Sequence, residues 1–344
     1  MDQSIIKDYV ADASTVLKQY PIQALFIKKY QYKSKKAVWF VKTNQANYAL
    51  KRYWLDDKQW NTIISAYNYL SKEVNNVAPL LSTKDANLWT KYKDNYYILT
   101  NWVKGSTPDY TNNEDLTKLT RGIAELHTAA RNYPAADMEN ADKYLGRWPL
   151  DTRRKQGLLL EYKYEAENIG THSFAKLYLK HYQSFFEIYE EVAEVFEHQI
   201  YQQWVKKTKE YPCLCVNGFS PHNFSLGEKN ILWLLHLDNI CLDLPARDIR
   251  KLILKTMYIK EKWCPETFAL IMKNYLNIFP LAKDELKVLL AELKSPHLFF
   301  NVTTNFFLNQ KANREADYYK THLIKTLKFE QGKLDILSRF WQLL

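Results

Sequence analysis

Residues 213–252 read CLCVNGFSPHNFSLGEKNILWLLHLDNICLDLPARDIRKL, and this stretch decides how the rest of the chain is understood. The run Ile231–Leu237 is the longest apolar stretch of the chain, but it has the length of a strand and is interrupted by His236. It therefore belongs to a folded core and is too short to span a bilayer. Three acids follow at Asp238, Asp243 and Asp248. Their spacing fits turn and cap chemistry that holds a loop and starts the next helix. No carboxylate stands between Val216 and Asn223.

That gap matters because kinase-like phosphotransferases carry a loop of the form H-G-D-x-x-x-x-N in such a stretch, with a metal-binding Asp at the end of the strand after it. The loop Asp orients and deprotonates the attacking hydroxyl, while the Asn and the second Asp hold Mg²⁺ on the phosphates. Aligned without a gap on Asn223, this chain has Val216, Asn217 and Gly218 where His, Gly and Asp should stand. His236 falls at the metal-binding Asp. Shifting the frame by one brings Phe219 to the base position, which is no better. Without a carboxylate there, general-base assistance of about 10²–10⁴ in rate is missing. Imidazole suits soft or borderline metals, whereas Mg²⁺ prefers hard oxygen ligands. On a strand, His236 and Asp238 would point the same way, which would let Asp238 offer one oxygen.

A chain of 344 residues suits about two domains, and 47% hydrophobic with 25% charged residues is ordinary for a globular fold. The opening segment MDQSIIKDYVADAS lacks the basic-then-apolar order of a secretory signal. Cys213, Cys215, Cys241 and Cys264 have neither zinc spacing nor disulfide density, so buried thiols in a reducing compartment are expected. The formal net charge is +10, with a local cluster of Lys28, Lys29, Lys33, Lys35 and Lys36 expected on an exposed hairpin. Such a cluster favours anionic surfaces or partners. No arginine-rich arm, zinc finger or aromatic RNA-binding signature accompanies it, so specific nucleic-acid binding is not expected. The 25 tyrosines and 10 tryptophans suit extensive packing or interaction surfaces, or reflect the drift of a Lys-, Asn- and Tyr-rich genome.

Upstream, Leu25–Tyr30, Ala37–Thr43 and Asn47–Tyr53 read as a β-meander within a small five-stranded antiparallel sheet. In YALKRY, alternation places Ala49, Lys51 and Tyr53 on one face, the spacing with which kinases set a small residue at adenine and a Lys at the phosphates. A surface lysine on a sheet is the plainer alternative. Asp56–Lys72 reads as a helix with Trp60, Ile63, Ile64, Tyr67 and Leu70 as a core stripe, and it offers no central glutamate to pair with Lys51. The first glycine of the chain is Gly105, so no glycine loop is available to cradle phosphates. A strand at Tyr96–Val103, a glycine-marked linker and a helix over Asp115–Tyr133 follow, with His127 read as a packed core histidine rather than a ligand. Residues from Leu145 to Ile200 read as helical, and from Asp248 onward four or five helices are expected, broken near Pro265, Pro280 and Pro296.

Six landmarks in this order resemble the CotS-type spore coat proteins, a branch of the aminoglycoside-phosphotransferase-like kinase fold. They are ALKR at 49–52, ILTNWVKG at 98–105, AELHTA at 124–129, LGRW at 145–148, the N-x(9)-W-L-L-H-L-D run through 238, and DLPARDIRKL at 243–252. The resemblance covers roughly residues 24–300 and weakens beyond. It implies an α+β, bilobal protein-kinase-like fold, with a small antiparallel β-sheet N-lobe over residues 1–103 and a mainly helical C-lobe over 104–344. It also implies a place in the bacterial endospore coat, synthesis in the mother-cell cytoplasm, and other coat proteins as partners.

Two readings follow. The first is a catalytically degenerate kinase fold serving as a structural component of the coat. The second is an active sugar or amino-sugar phosphotransferase using ATP. The missing acids at Gly218 and His236 and the missing glycine loop favour the first. Lys51, Asn223 and Asp238 are the residual nucleotide-binding candidates. No resident cofactor or metal is expected, and any weak ATP binding should be indifferent to Mg²⁺.

Overall fold

The computed structural model describes residues 11–33, 36–134, 144–228, 231–309 and 316–341. The strands that concern the site are β1 (Phe26–Lys33), β2 (Lys36–Lys42), β3 (Asn47–Tyr53), β4 (Leu80–Leu81), β5 (Thr90–Tyr92), β6 (Asn95–Asn101) and β7 (Gly105–Ser106). Later in the chain come β8 (Leu214–Cys215), β9 (Phe224–Gly227) and β10 (Leu232–Leu234). The chain divides into two compact units that are not contiguous in sequence. One comprises 1–109, 132–141 and 220–241, and the other 110–131, 142–219 and 242–344. Residues 220–241 fall in the first unit, beyond the single boundary at 103/104 that the sequence implied. The reason is local pairing: β9 lies antiparallel to β7, and the Leu234 N–H donates to the Asn76 carbonyl at 2.8 Å.

The first unit is built on an antiparallel sheet in the order β1-β2-β3-β6-β4, with β5 also on β6. The expected meander is β1–β3, and the sheet has six strands rather than five because β4 and β5 both pair with β6. Strand alternation sorts the side chains. Ala37, Trp39 and Val41 of β2, Tyr48 and Leu50 of β3, and Tyr97 and Leu99 of β6 form one buried face with Ala13, Val16, Leu17 and Tyr20. Lys36 and Val38 stand opposite Tyr53 and Lys51 in the register, which puts these four on the other face. There the helix Asp57–Glu73 packs, its Trp60 stacked on Tyr96 at 4.5 Å. Its N-cap is Asp56, which accepts from the Gln59 N–H at 2.8 Å. Trp60, Ile63, Tyr67 and Leu70 are buried as expected, while Thr62 and Ala66 are buried in preference to the half-exposed Ile64. The first glycine also has its reason. A Cβ on Gly105 would lie 2.2 Å from the Leu226 carbonyl oxygen, so the close approach of β7 to β9 excludes any side chain.

The second unit is mainly helical. Asn113–Ala129, Trp148–Asn168, Ser173–Glu197 and Gln199–Glu210 precede β8. Ala246–Ile259, Pro265–Leu276, Lys283–Lys294, His297–Asn309 and Ala316–Trp341 follow it, with the breaks falling at the expected prolines. Rings dominate the packing: Phe185 stacks on Phe299 at 3.8 Å, and Phe174 on Phe306 at 3.9 Å. Tyrosines and tryptophans from both units are among the largest fully buried side chains, so much of the aromatic content serves packing. No helix among the described residues is long and apolar enough to cross a membrane.

Candidate functional site

β3 turns Ala49 and Lys51 toward a cavity of about 410 Å³ within the first unit. The cavity is also lined by Thr100, Trp102, His222, Leu235 and His236. The Lys51 side chain is buried, and its ammonium donates to the Leu235 carbonyl at 2.8 Å and to the Tyr67 hydroxyl at 3.2 Å. Tyr67 is the residue of the helix Asp57–Glu73 that meets the Lys51 ammonium, since the helix has no central glutamate to do so. Burial brings the Lys51 pKa down to about 7, helped by the charge of Lys36 and opposed by that of Asp238.

Asn223 reaches the same network through its backbone. Its carbonyl accepts from the Leu235 N–H at 2.8 Å, so Asn223, Leu235 and Lys51 are joined by consecutive hydrogen bonds. The residues lining the cavity on that segment are His222, Phe224 and Ser225.

Lys36 departs from the exposed cluster assigned to it. It is buried and forms an ion pair with Asp238. The register explains this, because Lys36 faces Tyr53 across the β2–β3 ladder and so points to the sheet face that carries Lys51. The Tyr53 hydroxyl belongs to the same cluster, held well above its ordinary pKa by burial and by the Asp238 carboxylate. Of the other basic residues, Lys28 is exposed and Lys29 half-buried on edge strand β1. The Lys33 side chain and Lys35 lie outside the described residues.

His236 and Asp238 also depart from the strand reading. β10 ends at Leu234, and the chain turns at Asp238. Period-2 alternation therefore does not apply to the pair. His236 lines the cavity, whereas the Asp238 carboxylate is committed to Lys36. The residues present do not fit Mg²⁺. His236, aligned with the metal-binding Asp, offers an imidazole rather than a hard oxygen, and one oxygen of the Asp238 carboxylate is paired with the Lys36 ammonium.

The loop at 216–219 belongs to the second unit. The Asp248 carboxylate accepts from the Val216 N–H at 2.6 Å and the Asn217 N–H at 2.9 Å, and His127 Nε2 meets it at 3.2 Å. Asn217 has a left-handed backbone, φ 56°, and its carbonyl accepts from Lys251 at 3.0 Å. The loop is held firmly, and it carries Gly218, which the gapless alignment set at the base position, followed by the buried Phe219. Asp243 is fully buried and accepts from the Trp148 indole at 3.0 Å, from the Leu244 N–H at 2.8 Å and from Arg247. Burial pushes its pKa up to about 6 against the pull of Arg247. Asp243 and Asp248 thus do the holding work expected of them, and His127 is a core histidine hydrogen-bonded at both ring nitrogens.

Comparison with known proteins agrees with this geometry. The model of the family described as spore coat putative kinase YutH matches residues 14–340. Spore coat protein S of Bacillus subtilis (strain 168) is 24% identical over 330 residues, covering 96% of this chain and 94% of its own. An aminoglycoside phosphotransferase from Alicyclobacillus acidocaldarius superposes with a TM-score of 0.77 at 15% identity, over 96% of this chain and 95% of that one. Choline kinase from Cryptosporidium parvum gives 0.58 at 12% identity, over 98% and 97%. At these identities the solved structures carry the fold alone. It is that of the aminoglycoside phosphotransferases and choline kinase.

Proposed function

The chain belongs to the spore coat putative kinase YutH family, and from that premise we propose that it is a catalytically degenerate kinase fold, synthesised in the mother-cell cytoplasm and used as a structural and assembly component of the endospore coat. Association with the spore coat follows from the family and from the likeness to spore coat protein S. The degenerate reading rests on one observation above the others. The charged groups beside the cavity are committed to partners within the chain: Lys51 to the Leu235 carbonyl and Asp238 to Lys36. A phosphotransferase needs those groups free for phosphate and metal, and catalysis of this kind is almost wholly positioning and charge neutralisation. Gly218 adds no base. Partners are other coat proteins, and Lys28 and Lys29 offer contacts to acidic ones.

The test is a radiolabelled-phosphate transfer assay on the unmodified chain with sugars, aminoglycosides and protein as acceptors, and Lys51→Ala as control. The expected result is no transfer above background, with or without Mg²⁺ or Mn²⁺. Turnover that Lys51→Ala abolishes would overturn the scaffold reading in favour of an active small-molecule phosphotransferase.

A further inference from the structure

We propose that His127, Cys213 and Cys215 form a binding site for a zinc-type divalent cation inside the mainly helical unit. One donor atom from each of the three lies within 4.8 Å of the others, and all three residues are buried. Zinc bonds of about 2.3 Å to sulfur and about 2.0 Å to nitrogen set ligand separations of roughly 3.5–4 Å in a tetrahedral site. The cluster is therefore within about an ångström of coordinating distance as it stands. Cys215 ends β8 and Cys213 stands immediately before it, so this short stretch of backbone supplies both sulfurs of the cluster.

The surroundings of His127 fit ligation. The Asp248 carboxylate is fixed by the Val216 and Asn217 N–H groups and meets His127 Nε2 at 3.2 Å. A carboxylate acceptor there places the ring proton on Nε2 and leaves the Nδ1 lone pair as the coordinating atom. Metal-bound histidines are oriented in this way by an outer carboxylate. Nδ1 now meets the Tyr275 hydroxyl at 2.7 Å, and Cys215 donates weakly to the Asp243 and Leu244 carbonyls at 3.6 and 3.4 Å. Binding replaces these contacts and releases the two thiol protons.

Charge selects the ion. Two thiolates, a neutral imidazole and a divalent cation sum to zero, whereas a monovalent copper ion would leave a net negative charge in a buried site. Cys213 also lines a cavity of about 220 Å³ together with Arg131, Lys207, Tyr211 and Glu285, so the cluster lies beside open space within the unit.

The experiment uses the full chain under reducing conditions, titrated with zinc chloride against a chromophoric chelator, and separately with cobalt as a spectroscopic probe. Cys213→Val and Cys215→Val remove the ligands while keeping an apolar side chain of similar size, and circular dichroism checks that both fold. The parent should take up about one zinc per chain, each variant should bind at least roughly tenfold more weakly, and the thiolate-to-cobalt charge-transfer band of the parent should vanish in both. A parent chain that yields all zinc to the chelator would overturn the proposal. So would variants that hold zinc as tightly as the parent, since the metal would then sit elsewhere. Uptake of monovalent copper without zinc would overturn the charge argument and with it the choice of ion.

Discussion

The Lys36–Lys51–Asp238 cluster of the first unit and the Asp248-held loop of the second are both made of buried polar groups, yet they are satisfied in opposite ways. Around Asp248 one carboxylate collects two backbone N–H groups and a histidine, and the outcome is a fixed loop. In the first unit two ammoniums share one carboxylate, so one of them must be held by neutral oxygens. The loop is an economical arrangement of dipoles around a single charge. The Lys51 cluster is an arrangement of charges that repel, kept in place by the sheet. The loop residues are thus satisfied around one carboxylate, while the charged groups of the first unit are turned on each other.

The strongest way to break this contrast is Asp248→Ala. It leaves two buried N–H groups and one histidine nitrogen without their acceptor, each costing about 1–3 kcal/mol and more where charge is involved. A loss of about 3–5 kcal/mol is expected, read as a lower denaturant midpoint by circular dichroism. An unchanged midpoint would mean that the loop does not depend on Asp248, and the frame would need another explanation.

A second prediction concerns pH and isolates Lys51. Its folded pKa, about 7, lies below its ordinary value of 10.5. Between those values the unfolded chain carries the extra proton, so stability rises with pH across that window, by at most about 1.4 kcal/mol per unit. Below pH 7 both states are protonated and the burial penalty is present in full. Lys51→Met should therefore be more stable than the parent near pH 6, with a flatter stability curve up to pH 10. Parallel urea titrations at pH 6, 8 and 10 would decide it, and identical slopes in the two proteins would sink the idea.

How much of this was legible in sequence differs between the two regions for a physical reason. Asp243, Asp248 and His127 were read as holding residues because turns, caps and packing are local or periodic, and the structure agrees. Lys51 was singled out by alternation on one strand. Its partners were not, because the Leu235 carbonyl has no sequence signature and the Tyr67 hydroxyl lies on a residue read only as a core aromatic. Lys36 was misplaced for the same reason. In a run of basic residues it looks solvated, and only the cross-strand register with Tyr53 reveals that it points inward. The His127–Cys213–Cys215 cluster escaped because its members meet through the packing of a helix against β8, with no metal-ligand spacing along the chain.

The smallest expected effect sharpens the comparison most, because it separates a charge pair from a carboxylate acceptor. The Lys36 side chain is 10% exposed and that of Asp238 26%, so the two ends of the pair are not equivalent. Asp238→Asn strands the more buried ammonium and removes the carboxylate charge that favours Lys51⁺, so it should cost about 2–3 kcal/mol and lower the Lys51 pKa further. Lys36→Met leaves a carboxylate that water can partly reach and relieves Lys51 of a repelling neighbour, so about 1 kcal/mol or less is expected. The double variant Lys36→Met with Asp238→Leu should lie near the parent, since replacing a buried pair by apolar groups is often neutral. Guanidinium unfolding of the four proteins at pH 6, where Lys51 is charged, ranks the three changes against the parent. Equal costs for the two single changes would show that the pair behaves as a solvated surface bridge, and the first unit would then lose the feature that distinguishes it from the loop.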